Sequence, residues 1–383
     1  MIEIDLSTGI IMGALLLLAL VGSLVNPMVR RVRTQDEATA DENREGLPPM
    51  TILITIHDNA GELEKHLPLL LEQDYPDYRV IVVGEQGDAD TEDVLKRFKN
   101  SHGRLYYTLI PESSRYMSRP KLQVTLGVKA ARTEWVLLMA PTVHPSSDHW
   151  LEGVAKACRD DTGFVLGCTD FPESMSGYKR FEHFRTACYN LRRAQRSKPF
   201  ATNMPCVCFR KSQFMRGCAF QGNAQFVRSE FSFLVNKYAA KGTTRVAIAP
   251  QARAIEDEPY PKNWKYRHLY HMAARKSMAG HTSMALLKLA DHLLPHLSLL
   301  SSLGVGAWAL HSQQWVLAGA SLLALLLLYG FRVGAAFGAA HRCHVEIPAF
   351  VVPLYELTLV WHSLYYRICY WKADKRDFTS HKL

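Results

Sequence analysis

The chain divides by the period of its hydrophobic residues. Residues 9–25 (GIIMGALLLLALVGSLV) carry no charge, and at helical rise they nearly span a bilayer core. Residues 293–310 (LLPHLSLLSSLGVGAWAL) and 315–331 (WVLAGASLLALLLLYGF) follow the same pattern. Each run is slightly short of an ideal span, so aromatic and basic flanks set its ends. Three transmembrane helices are predicted. Between the first and second runs the period changes. MTILITI (50–56), YRVIVVG (78–84), RLYYTLI (104–110) and EWVLLMA (134–140) read as apolar strands. GELEKHLPLLLEQ (61–73), TEDVLKRFKN (91–100) and KLQVTLGVKAA (121–131) have helical spacing, with Thr91 as an N-cap. Such alternation specifies an α/β fold, a mostly parallel sheet flanked by helices.

The pattern continues with a helix over DHWLEGVAKAC, a strand at 163–171 and a helix from Gly177 to about Arg196. Residues 197–227 are irregular. A helix at SEFSFLVNKYAAKG and a strand at 244–250 close the domain. Residues 261–291 are basic and aromatic, which suits a helix lying on a membrane surface. Residues 347–371 are long enough for a fourth span. Glu356, His362 and Arg367 interrupt them, so an interfacial amphipathic segment is expected. The resulting division is an N-terminal anchor (1–33), a polar linker (34–47), an α/β domain (48–255), a basic interface helix (256–291), a membrane hairpin (292–333) and a C-terminal segment (334–383).

Charge placement orients these pieces. The chain starts MIEIDLSTG, acidic, and no small-residue cleavage site precedes the basic run, so the first apolar segment reads as an anchor and not a cleaved leader. Arg30, Arg31 and Arg33 follow it, which puts the N-terminus outside and the next domain in the cytoplasm. Residues 311–314 hold no Lys or Arg and form the external turn, while Arg332 and Arg342 lie back on the cytoplasmic side. The net charge of +9 comes without a basic stripe interleaved with stacking aromatics. Nucleic acid is therefore excluded in favour of an anionic lipid surface or a nucleotide diphosphate. The eight cysteines are scattered through segments read as cytoplasmic, and Cys206-Val207-Cys208 is not a zinc spacing. They are expected to be structural thiols. No ionisable cluster is visible in the apolar spans, so a transporter or receptor is set aside.

PPMTILITIHDNAGELEKHLPLLLEQDYPDYRVIVVGEQGDADTEDVLKRF resembles the opening block of a family 2 glycosyltransferase, and RPKLQVTLGVKAARTEWVLLMAPTVHPSSDHWL resembles its second block. SEFSFLVNKYAAKG is similar to the helix that bears that family's catalytic acid, and the C-terminal hairpin matches a membrane-bound subgroup. The resemblance covers residues 48–290. It implies a GT-A-type fold and transfer of a sugar from a nucleotide diphospho-sugar to a lipid-linked or surface polysaccharide acceptor. Magnesium or manganese is the cofactor expected of the family.

Site residues follow from the same resemblance, each with a plainer alternative. His57 and Asp58 end the first strand, where the family contacts the base, though Asp58 or Asn59 would also serve as a helix cap. Glu85 stands where a nucleotide-contacting Asp is usual, and a polar strand end needs no function. Arg119 and Lys121 fall in a phosphate-facing segment, with a solvated basic residue as the alternative. Glu230 aligns with the family's catalytic acid pair, but Phe231 replaces the Asp, and Glu230 could equally be an ordinary first-turn acid. The family's metal-binding Asp-x-Asp aligns with Ala140, Pro141 and Thr142, whose side chains cannot replace two carboxylates around a hard cation. Asp148, in a first helical turn, and His144, before Pro145, are no substitute, so no metal ligand set is assigned. The loop at 202–206 (TNMPC) lacks the glycine usual before the acceptor site.

Two functional expectations result. One is a membrane-anchored inverting glycosyltransferase with Glu230 as base. The other is a non-catalytic relative that keeps the fold as a membrane scaffold or as the partner subunit of an active transferase.

Overall fold

The computed structural model describes residues 5–29, 46–111 and 117–379. Arg30, Arg31, Arg33 and most of the predicted linker lie outside the described residues. In chain order the first elements are α1 (Leu6–Leu24), β1 (Met50–Thr55), α2 (Ala60–Leu71), β2 (Tyr78–Glu85), α3 (Ala89–Ser101), β3 (Leu105–Ile110) and α4 (Arg119–Ala130). Next come β4 (Trp135–Met139), β5 (Val143–Pro145), α5 (Trp150–Ala155), β6 (Phe164–Asp170), α6 (Gly177–Arg196), β7 (Cys206–Arg210) and α7 (Lys211–Arg216). The last are α8 (Glu230–Tyr238), β8 (Thr244–Ala247), β9 (Arg253–Glu256), α9 (Pro261–Ala274), α10 (His281–His311), α11 (Trp315–Arg342) and α12 (Val352–Lys372). Two compact units result. One comprises Met1–Val32, Gly177–Tyr189 and Thr282–Tyr365, the other Arg33–Ser176, Asn190–His281 and Tyr366–Leu383.

The larger unit holds a nine-stranded mixed sheet in the order β3-β2-β1-β4-β7-β6-β9-β5, with β8 also paired to β6. The β3-β2-β1-β4 half is parallel, in register Met50 with Tyr78 and with Trp135. Its strands read as unbroken apolar runs because helices cover both faces; every residue of β4 and all but the last of β1 are buried. Helix α3 starts at Asp88, whose carboxylate accepts the Thr91 amide, so the cap lies three residues before the one expected. β7 runs antiparallel to β4 and β6, and the short β5 is antiparallel to β9. The β5–β9 pair was not anticipated from the sequence. Three- and four-residue strands carry too little periodicity to register.

One predicted element divides in two. The single basic helix over 261–291 is instead α9, a break at Met278–Gly280 and the opening turns of α10. Gly280 adopts φ 84°, a left-handed conformation that stops a helix and that glycine adopts without a Cβ penalty. The helix expected from Asp148 through Cys158 is limited to six residues in α5.

The smaller unit contains α1, α10 and α11, three helices long and apolar enough to cross a membrane. Small residues let them approach. Ala19 and Ala324 are fully buried beside Leu15 and Leu328, and a Cβ on Gly22 would lie 3.5 Å from the Leu294 carbonyl oxygen. The same unit corrects the expectation that no ionisable cluster accompanies the apolar helices. Arg332 donates to Glu356 and, at 2.7 Å, to the Gly22 carbonyl, while Asn26 donates to Glu356 at 2.9 Å. Arg185 reaches both Glu356 and Asp291, and the Tyr189 hydroxyl donates to Asp291. Two cations and two anions thus share one buried network. Its charged members come from α6, α10, α11 and α12, so the charges meet only in the folded chain. Glu356, which argued against a fourth span, is one of its centres.

Candidate nucleotide site and the turn after β4

Strands β1 and β2 deliver their C-terminal residues to the same edge of the parallel sheet, where α/β folds bind ligands. Beyond Thr55 the chain stays paired for one more residue, through Ile56 N–H to Val83 O at 3.0 Å, and then exposes His57 and Asp58. Asp58 has φ 53°, in the left-handed region that non-glycine residues enter at a cost of about 1 kcal/mol. The cost turns the chain sharply at the strand end. Its side chain is exposed, and Asn59 takes the N-cap position of α2 without a side-chain cap hydrogen bond.

Glu85 joins the predicted residues together. It is buried, with 7% of its surface exposed, and one carboxylate oxygen lies 2.7 Å from Arg119 Nη1. The other lies 3.1 Å from His57 Nδ1. Arg119 opens α4, which is fastened to the end of β1 by Gln123 donating to the Ile56 carbonyl at 2.7 Å. His57, Asp58, Glu85 and Arg119 therefore form one group. The buried acid lies between a half-exposed imidazole and a half-exposed guanidinium at the edge of the sheet.

Lys121 faces elsewhere. Its side chain is fully buried, and the ammonium donates to the carbonyls of Asn223, at 2.6 Å, and Phe226. Burial pushes its pKa down to about 8, with Glu230 opposing the shift. The solvated alternative and the phosphate-facing expectation both give way to a structural one: Lys121 anchors the loop that leads into α8. Glu230 begins that helix and is buried at 6% exposure; its carboxylate accepts the Ser229 amide at 2.9 Å and lies 3.7 Å from Arg228.

The turn joining β4 to β5 is held on all sides by its backbone. Ala140 N–H donates to Pro205 O at 3.0 Å, and Thr142 O accepts from Asp257 N–H at 2.8 Å. Pro141 O accepts from His66 Nδ1 at 2.9 Å. No side chain of Ala140, Pro141 or Thr142 can ligate a hard cation as paired carboxylates do, so the family's metal does not fit at this turn. Asp148 is exposed, with His149 at 3.8 Å. What the sequence reading missed is the wall behind the turn, built by His66, His144, Glu256 and Asp257. Glu256 is buried, which raises its pKa against the opposing Arg267 guanidinium at 2.9 Å. Burial pushes the His66 imidazole below the usual histidine range, against the opposing pull of the Pro141 carbonyl and Asp257. The signal available was an acidic Glu256-Asp257-Glu258 run in a basic chain, but its destination required the β5–β9 register.

A half-parallel sheet continued by antiparallel strands, with polar groups at the ends of β1 and β2, defines a GT-A-type fold. Residues 51–219 match the model of glycosyl transferase family 2. Among solved structures, the chain is similar to a mannosyltransferase from Pyrobaculum calidifontis, PcManGT, determined in complex with GDP-Man and Mn2+. The identity is 16%, the match covers 87% of this chain and 98% of that one, and the TM-score is 0.53. S. aureus TarS 1-349, in complex with UDP-GlcNAc, aligns at 13% identity over 82% of this chain and 92% of that one, with a TM-score of 0.44. No curated protein matches the chain.

Proposed function

We propose that this is a membrane-anchored family 2 glycosyltransferase that takes a nucleotide diphospho-sugar at the ends of β1 and β2 and transfers the sugar to a lipid-linked or surface polysaccharide acceptor. The observation that carries the reading is the Glu85 group. A buried acid positioning His57 and Arg119 at the strand edge is the arrangement a base, ribose or diphosphate needs, and ordinary packing does not require it. The solved PcManGT complex holds GDP-Man, which supports the donor class. Arg119 offsets diphosphate charge, and Glu230 is the base in this reading. α1, α10 and α11 cross the membrane, with the α/β domain on the cytoplasmic face and α12 at the interface.

A second reading is favoured by one specific observation, the Ala140-Pro141-Thr142 turn, together with the enclosure of Glu230. In it the chain binds nucleotide without transfer and serves as the partner subunit of an active transferase. Calorimetric titration of the detergent-solubilised chain with UDP- and GDP-sugars tests both, followed by donor hydrolysis and transfer assays. Micromolar binding that falls about tenfold in Glu85→Gln, roughly 1.4 kcal/mol, is expected. Absence of binding to any donor would overturn the shared part. Binding without turnover, in the presence of membrane acceptors, would select the partner-subunit reading.

A further inference from the structure

Behind the turn that replaces the family's paired acids, three chain segments bring together potential ligands. His66 from α2, His144 from β5 and Asp257 just after β9 each offer one donor atom, all within 4.8 Å of one another. The two imidazole rings lie with centroids 4.6 Å apart, tilted by 36°. Both rings have Nδ1 against a backbone carbonyl, His66 on Pro141 O at 2.9 Å and His144 on Pro145 O at 3.1 Å. A carbonyl oxygen only accepts, so in each neutral ring Nδ1 carries the proton and Nε2 keeps its lone pair. This is how a carbonyl fixes the tautomer of a metal-binding histidine.

His66 Nε2 provides a second, independent observation. The side chain is 2% exposed, and Nε2 is buried without a hydrogen-bond partner although it lies 3.2 Å from Asp257 Oδ2. A lone pair facing a carboxylate oxygen at that separation is repelled unless positive charge is shared between them. Lys65 does not supply it to this oxygen, since its ammonium holds the other one, Oδ1, at 3.0 Å. Two ligands each about 2.1 Å from a common ion and separated by this distance subtend roughly 100°, close to tetrahedral.

We propose that His66, His144 and Asp257 bind a divalent transition-metal ion of the zinc type, with water completing its coordination. Two imidazoles and a monodentate carboxylate suit zinc; magnesium demands an octahedral oxygen shell. The ion ties α2, β5 and the chain after β9 together and, through Pro141 O and Thr142 O, backs the turn at 140–142. It occupies a different place from the family's acid-held metal and does not depend on nucleotide.

The test uses the full chain in detergent, purified through a tag free of histidine, stripped with chelator and titrated with Zn2+ or Co2+ alone. One zinc per chain at micromolar affinity or better is expected, with no heat from Mg2+. Co2+ should give the intense visible absorption of a four-coordinate site. His66→Gln and Asp257→Asn should each weaken zinc binding at least a hundredfold and remove the cobalt spectrum. If His66→Gln fails to fold, His144→Gln at the half-exposed ligand gives the same reading. No stoichiometric zinc uptake by the wild type, or uptake unchanged in the folded variants, would overturn the proposal. Because no nucleotide is present, either result leaves the donor-binding reading to its own titration.

Discussion

Lys121 is the residue whose chemistry the fold alters most. In an unfolded chain its ammonium titrates near 10.5, and in the folded protein at about 8. Between those values the unfolded state binds the extra proton, so stability rises with pH across that window. The penalty of burying the charge applies in full below the folded value. At about 1.4 kcal/mol per pH unit, the gain reaches about 3 kcal/mol by pH 10.5. Lys121→Met should flatten the difference: thermal unfolding of wild type and variant, followed from pH 7.5 to 10.5 in detergent, should show this rise only in the wild type. Equal slopes would place the amine in water. Glu85 is the opposite case. Its position at a strand end was legible, because alternation of strands and helices says where the ligand edge lies. Its pairing with His57 and Arg119 was not, because those contacts join residues 28 and 34 positions away.

Helix α5 shows how closely the elements are fitted. A Cβ on Gly153 would lie 2.8 Å from the Ala252 amide nitrogen, a backbone contact that cannot swing aside. Gly153→Ala should therefore destabilise the α/β unit by roughly 1–3 kcal/mol, seen as a lower melting temperature, despite alanine's better helix propensity. A rise in melting temperature would show that the backbone at 250–252 yields. Among the helices of the smaller unit, the Glu356 network makes a different prediction. Glu356→Ala leaves Arg332 without its buried counter-charge and Arg185 with Asp291 alone, and should cost about 3–5 kcal/mol. Glu346→Ala, on an exposed side chain, should change stability by less than about 0.5 kcal/mol. Comparable losses in both variants would mean that the network contributes nothing specific. Helices α1 and α11 could be read as apolar runs because each segment states its own hydrophobicity. The network could not, since Arg185 and Glu356 lie in segments that look merely polar or interfacial in isolation.

The proposed arrangement across the membrane, with the α/β domain on the cytoplasmic side, rests on charge placed beside the apolar helices. Cys218 is exposed on the α/β unit, and residues 311–314 join α10 to α11. An impermeant thiol reagent should leave Cys218 unlabelled in intact cells and label it after permeabilisation. A cysteine introduced by Gln313→Cys into a Cys218→Ser chain should behave the opposite way. Labelling of Cys218 from outside would invert the orientation.

The fold class, the parallel half of the sheet and the three long apolar helices were readable from the residues, because they follow from periodicity, and periodicity is a local property. That Ala140-Pro141-Thr142 carries no carboxylate is likewise a matter of residue identity. Folding was needed to show what surrounds that turn. His66 and Asp257 are far apart in the chain, and only the short β5–β9 pairing and the packing of α2 bring their donor atoms together. The same holds for Lys121 turning inward and for the charges meeting at Glu356. A side chain's partner is set by long-range register, which no window of sequence contains.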